Sequence, residues 1–108
     1  MRLHERFEWD ASKARANRRK HGVSFDDAAT VLSDRQGDQY HTEEYDDAHS
    51  MDEDRWITTA SHPFDRTIVL RIVWTSRATG SGAVTRITGA RPATRREREL
   101  YEEDISAR

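Results

Sequence analysis

The sequence predicts an α+β domain: a small antiparallel sheet with helices packed on it, in the order β-α-α-β-β-β-α. Three observations carry this expectation. Residues 66–76, RTIVLRIVWTS, place Ile68, Leu70, Ile72 and Trp74 on one face of a strand and Val69, Arg71, Val73 and Thr75 on the other. Apolar on both faces except at Arg71, that strand belongs in the middle of a sheet. Residues 79–82, TGSG, separate it from the next strand by no more than a hairpin, which makes the two neighbours antiparallel. Two capping signatures, Ser24 with Asp27 and Thr94 with Glu97, each open a helix outside the strand-rich part.

Taken in order, Phe7-Glu8-Trp9 alternates apolar, polar, apolar and reads as a short strand. Asp10 stands at an N-cap, and a helix runs from there to Gly22, a C′ residue. Its last turn holds Arg18, Arg19, Lys20 and His21, where positive charge suits the helix dipole. The dipole explains the sign of these charges but does not require four such groups in a row. A second helix, 25–32, turns an apolar stripe of Phe25, Ala28, Ala29 and Leu32 to the core, and the two helices run antiparallel about Gly22-Val23. Residues 34–54 form an acidic belt, expected as loop with at most a weak strand at Gln39-Tyr40. Strands then follow at 55–61, 66–76 and 83–91. Pro92 kinks the chain into a final helix that reaches about residue 103.

At 108 residues the chain is expected to form one domain, 1–108. Charged residues make up 35% and hydrophobic ones 34%, so the core is small and relies on three Trp, three Tyr and three Phe. Without cysteine, disulfides and thiolate metal sites are excluded, which suits a cytosolic protein. No apolar run approaches the roughly 20 residues of a membrane span and no signal-peptide core follows Met1, so a soluble, cytoplasmic protein is expected. The net charge of −2 conceals an uneven distribution. Residues 1–33 balance to +2, residues 34–54 to −8, and residues 55–108 to +4. The acidic belt thus separates two basic segments, and the overall balance says nothing against a local anion site. His41 and His49 lie among carboxylates, but their spacing matches no metal-ligand pattern, and neither metal nor cofactor is expected.

The densest cationic stretch is residues 86–103, RITGARPATRRERELYEE, where Arg91, Arg95, Arg96 and Arg98 surround a strand end and a helix start. Arginine suits phosphate because its planar fork donates two parallel hydrogen bonds and never deprotonates. Spacing of i, i+4 pairs Arg95 with Glu99 and Arg98 with Glu102 on a solvated helix face, but assigns no partner to Arg91 or Arg96.

These residues also resemble a known family. Phe7-Glu8-Trp9-Asp10, Lys13, Asn17 and Arg19-Lys20-His21-Gly22-Val23-Ser24-Phe25 are similar to the opening of BrnT-type toxins. Asp46-Asp47-Ala48-His49-Ser50 and Asp54-Arg55-Trp56 resemble its middle segment. Arg86-Ile87, with Ala90 through Arg98, resembles its closing strand and helix, and Arg66 and Arg77 fall where the family carries arginines. The chain departs from the pattern at Gly80-Ser81-Gly82, which lengthens a hairpin, at Pro63, and at Gly89, which replaces a larger polar residue.

The resemblance implies a metal-independent ribonuclease toxin with a RelE-like fold that inhibits translation and growth. A BrnA-like ribbon-helix-helix antitoxin would neutralise it, and only that partner would bind DNA. Metal-free RNA cleavage needs a base for the 2′-hydroxyl proton, an acid for the leaving 5′-oxygen, and cations over the phosphorane. On that basis His21 is expected as base or acid, with Lys20, Arg77 and Arg91 as the other catalytic groups. Arg19, Arg66, Arg95 and Arg96 are expected to hold RNA phosphates. The alternative is a non-catalytic module that binds RNA or a protein through the same basic cluster. Direct DNA reading is disfavoured by the net charge and by the absence of a recognisable helix-turn-helix.

Overall fold

The computed structural model describes residues 6–34, 40–51, 53–80 and 82–108. It contains three α-helices, α1 (Ala11–His21), α2 (Phe25–Asp34) and α3 (Arg95–Ser106), and a five-stranded sheet. The strands are β1 (Arg6–Glu8), β2 (Thr42–Tyr45), β3 (Arg55–Ser61), β4 (Val69–Thr79) and β5 (Gly82–Pro92), in the spatial order β1-β5-β4-β3-β2. As expected, β4 is central. The sheet is mixed, however, not antiparallel throughout: β1 runs parallel to β5. The crossover after β1 carries the chain to β2 at the opposite edge, and three antiparallel steps, β2 to β3 to β4 to β5, then bring β5 beside β1 running in the same direction.

The second difference is β2, within the acidic belt. Gln39 lies outside the described residues, and the strand begins at Thr42, pairing Glu43 with Thr58 and Glu44 with Ile57. Strand β4 starts three residues later than the apolar pattern indicates. The Asp65 carboxylate accepts from the backbone N–H and the hydroxyl of Thr67, and this local turn withdraws residues 65–67 from the ladder.

The helix caps follow the sequence. Asp10 caps α1 through the Lys13 N–H, and Gly22, with φ of 71°, closes it. The Ser24 hydroxyl accepts from the Asp27 N–H, and Thr94 with Glu97 forms a full capping box. Phe25, Ala28, Val31 and Leu32 of α2 press onto a sheet face of Ala60, Leu70, Ile72, Trp74, Ile87 and Ala90. Trp74 stacks on Trp56 and donates its indole N–H to the Thr58 hydroxyl at 2.8 Å, so its polar atom is satisfied inside the core. Among the described residues no helix is long and apolar enough to cross a membrane.

A bulge in β5 determines what the opposite face presents. Val73 pairs with Gly89, but the next residue, Trp74, pairs with Ile87, leaving Thr88 as the extra residue. The added residue lets Ile87 and Ala90, three apart, both point into the core. Gly89 and Arg91 remain on the other face, opposite Val73 and Arg71.

Candidate active site

The site is built at the edge of β5 left uncovered by β1. Strand β1 pairs only opposite Val84, Thr85 and Arg86. Farther along, the amide of Asn17 stands in for a partner strand: its Nδ2 donates to the Ala90 carbonyl at 2.7 Å and its Oδ1 accepts from the Ala90 N–H at 3.2 Å. The same Nδ2 donates to the Val23 carbonyl at 3.0 Å, tying the turn after α1 to the sheet. Leaving the Ala90 groups unpaired in this buried position costs about 1–3 kcal/mol. Four residues after Asn17, on the same helix face, His21 comes around the strand edge. It lines a cleft of about 180 Å³ together with Ile57, Arg71, Val73, Gly89 and Arg91.

Arg71 and Arg91 lie directly opposite each other on β4 and β5. Two like charges so placed repel. The Glu97 carboxylate resolves this from the first turn of α3, accepting from both terminal nitrogens of Arg91 at 2.7 and 2.8 Å and from Arg71 Nε at 3.2 Å. It also completes the capping box by accepting from the Thr94 N–H. Hydrogen bonding to Arg91, opposed by partial burial and assisted by the Thr94 N–H and the Arg71 charge, holds the Glu97 carboxyl at about 2. The same pair raises Arg91. Arg71 reaches Glu44 as well, at 3.0 Å.

This arrangement makes a pH prediction. The folded-state value of Glu97 lies below its ordinary 4.5. Its contribution to stability is therefore present above about pH 4.5 and lost as pH falls towards 2. Glu97→Gln is expected to lower stability by about 1–2 kcal/mol at pH 6. It should also flatten the decline of stability between pH 4.5 and 2. Urea denaturation of both proteins across that range checks this; parallel pH profiles would remove Glu97 from the account.

The other expected site residues are more dispersed. Arg77 lies six residues along β4 from Arg71, about 20 Å at the rise of a strand. There it converges with Arg86 on the Glu8 carboxylate, pairing at 2.6 Å. These arginines, Arg86 first, lower the Glu8 pKa. Lys20 and Arg19 are exposed on the last turn of α1, and Arg66 is exposed in the turn before β4. The side chains of these three have no hydrogen-bond or ion-pair partner among the described residues. Arg95 pairs with Glu99 at 3.3 Å and Arg98 with Glu102 at 3.0 Å, as their spacing requires. Arg96, for which the sequence offered no partner, also reaches Glu99, at 3.6 Å.

The structure thus brings His21 and Arg91 together and adds Arg71, which the sequence marked only as the lone charge in an apolar strand. It also adds Glu97, legible only as a capping residue. Among the described residues no group of three or more His, Asp or Glu side chains is placed to hold a metal ion. His49 turns instead to Asp46, at 2.9 Å.

Comparison with curated proteins finds no matching relative. The family model described as "Ribonuclease toxin, BrnT, of type II toxin-antitoxin system" matches residues 9–97, a span that holds Asn17, His21, Arg71, Gly89, Arg91 and Glu97. With most of its length matched, including every residue that builds the cleft, the chain belongs to the BrnT family of ribonuclease toxins.

Proposed function

We propose that this protein is a metal-independent endoribonuclease, built on a RelE-like arrangement of sheet and helices, that cuts RNA at the cleft and so inhibits translation and growth in the cytoplasm. The observation that carries the reading is the convergence of His21 with the facing pair Arg71 and Arg91 on one cleft. In the reaction the 2′-oxygen attacks phosphorus, the bond to the 5′-oxygen breaks, and a 2′,3′-cyclic phosphate forms. One proton leaves the nucleophile and one reaches the leaving group. His21 is the proton-transferring side chain among the cleft's lining residues, and an imidazole serves at either position.

Arg71 and Arg91 would face the phosphorane, where Glu97 now supplies an oxyanion of similar reach. Lys20 adds charge beside His21, and Arg19, Arg66, Arg95 and Arg96 guide the flanking phosphates. Arg77 joins them only on RNA long enough to run down β4. The partner we propose is a BrnA-like ribbon-helix-helix antitoxin that covers the basic cluster and carries the DNA contacts. Its carboxylates would compete for the guanidinia that Glu97 holds.

Incubating the purified protein with RNA tests the reading. Cleavage should proceed equally with and without excess EDTA and leave cyclic phosphate ends. Activity that vanishes with chelator and returns with a divalent cation would overturn the mechanism. Tight binding of RNA that stays intact would favour a non-catalytic module.

A further inference from the structure

We propose that the floor of the cleft is a nucleobase subsite, on which one unstacked base of the RNA lies flat, and that Gly89 fits it to a purine. The proposal rests on the cleft being an RNA site. Ile57, Val73 and Gly89 are direct cross-strand neighbours on β3, β4 and β5, forming an apolar row across the face opposite the core. The next row, two residues along, is Thr59, Arg71 and Arg91. At the rise of a strand the rows lie about 7 Å apart, so a phosphate on the arginines leaves its base beside the apolar row.

Neither a left-handed backbone nor a packing neighbour calls for glycine at position 89. Among the described residues only Gly22 and Gly82 adopt a positive φ, so the backbone at Gly89 suits any residue. A Cβ added there would meet nothing within 4 Å, so no packing neighbour excludes it. Glycine inside a strand weakens it and marks a bulge or the close approach of a ligand. Here the extra residue of the bulge is Thr88, and what Gly89 leaves behind is open space in the cleft. The cleft's 180 Å³ is below the roughly 300 Å³ of ordinary small-molecule sites, which suits one ring system and not a whole buried ligand. The Ala90 N–H and carbonyl at its edge are already taken by Asn17. A base is therefore held by the apolar area it covers on this aliphatic floor and by the guanidinium planes at the rim, which rewards the larger purine.

The test uses short 2′-O-methyl oligonucleotides, which bind without being cut, carrying a purine, a pyrimidine or an abasic unit at one varied position. The wild type should bind the purine form about 10-fold more tightly than the abasic form, as covering roughly 60 Å² of apolar surface allows, with the pyrimidine between them. Gly89→Val should erase most of that difference, so that the three forms bind nearly alike, and Gly89→Ala should fall between. Thermal melting verifies folding, which valine favours in a strand. Equal binding of purine and abasic forms by the wild type would overturn the subsite, as would a uniform loss of all three in Gly89→Val. The purine contrast without cleavage of ordinary RNA would uphold the subsite and sink the ribonuclease mechanism. Cleavage without the contrast would do the reverse, and failure to bind any oligonucleotide would overturn both.

Discussion

Replacing His21 with alanine is expected to lower RNA cleavage by about 100-fold or more, the effect of removing a positioned acid–base group. The fold should survive. His21 is the last residue of α1, only half-buried, and none of the core contacts of α2 or the sheet depends on it. The turn that places it is held by Asn17 and Gly22, both untouched by the substitution. Initial rates on a defined RNA, with a melting curve for each protein, separate chemistry from stability. An alanine variant that melts normally and cuts at the wild-type rate would remove His21 from the mechanism. Binding of a 2′-O-methyl RNA should be largely retained, because an imidazole acting on protons adds little to the grip on phosphate.

The second large effect is expected at the facing arginines. Arg91→Ala and Arg71→Ala should each reduce cleavage by about 100-fold, comparable with the loss of one preorganised donor to a developing oxyanion. The double variant should fall short of the product of the two, because both guanidinia address one group of oxygens. Arg91→Lys should recover little of the loss. The bidentate geometry that Arg91 shows towards Glu97 requires a planar fork, which an ammonium lacks. Reversal to Arg91→Glu or Arg95→Glu should weaken the complex with the antitoxin as well, as pull-down or calorimetry would show. A wild-type rate in both single alanine variants would place the phosphate elsewhere, with the unpaired cations at the end of α1 as the next candidates.

Much of this was readable from the chain because local chemistry determined it. Asp10, Gly22, Ser24 and the Thr94–Glu97 pair act within a few residues of themselves, so all three helix starts and the end of α1 fell where the sequence put them. Without such a signal at their far ends, α2 and α3 run on to Asp34 and Ser106. The two-sided apolar run of β4 likewise fixed its central place. The direction of β1 depends on a partner more than seventy residues away, and three residues of alternating pattern do not carry that information. At the site, His21 and Arg91 were recognisable from motif and residue type. Arg71 was visible only as an anomaly in an apolar strand, and its pairing with Arg91 depends on the register of β4 and β5. The bulge at Thr88 determines which side chains near Gly89 share a face with Arg91, and nothing in the local sequence announces it. Arg77 illustrates the converse: a plausible residue type in a plausible place, drawn by the register to Glu8 at the far end of the strand.

The parallel pairing of β1 with β5 has a bearing on how the protein is made. Seventy positions separate His21 from Arg91, and the Arg6–Val84 pairing spans more still. Chains emerge from their amino end, and contacts so distant in sequence close late and slowly. During synthesis α1 and α2 are therefore complete long before the strand edge that Asn17 grips exists. A nascent chain that has not reached Arg91 has no facing arginines, no Glu97 and no floor beneath His21. Such a topology delays an enzyme that attacks RNA until nearly the whole chain has been made, and a message cut short yields a fragment without a cleft.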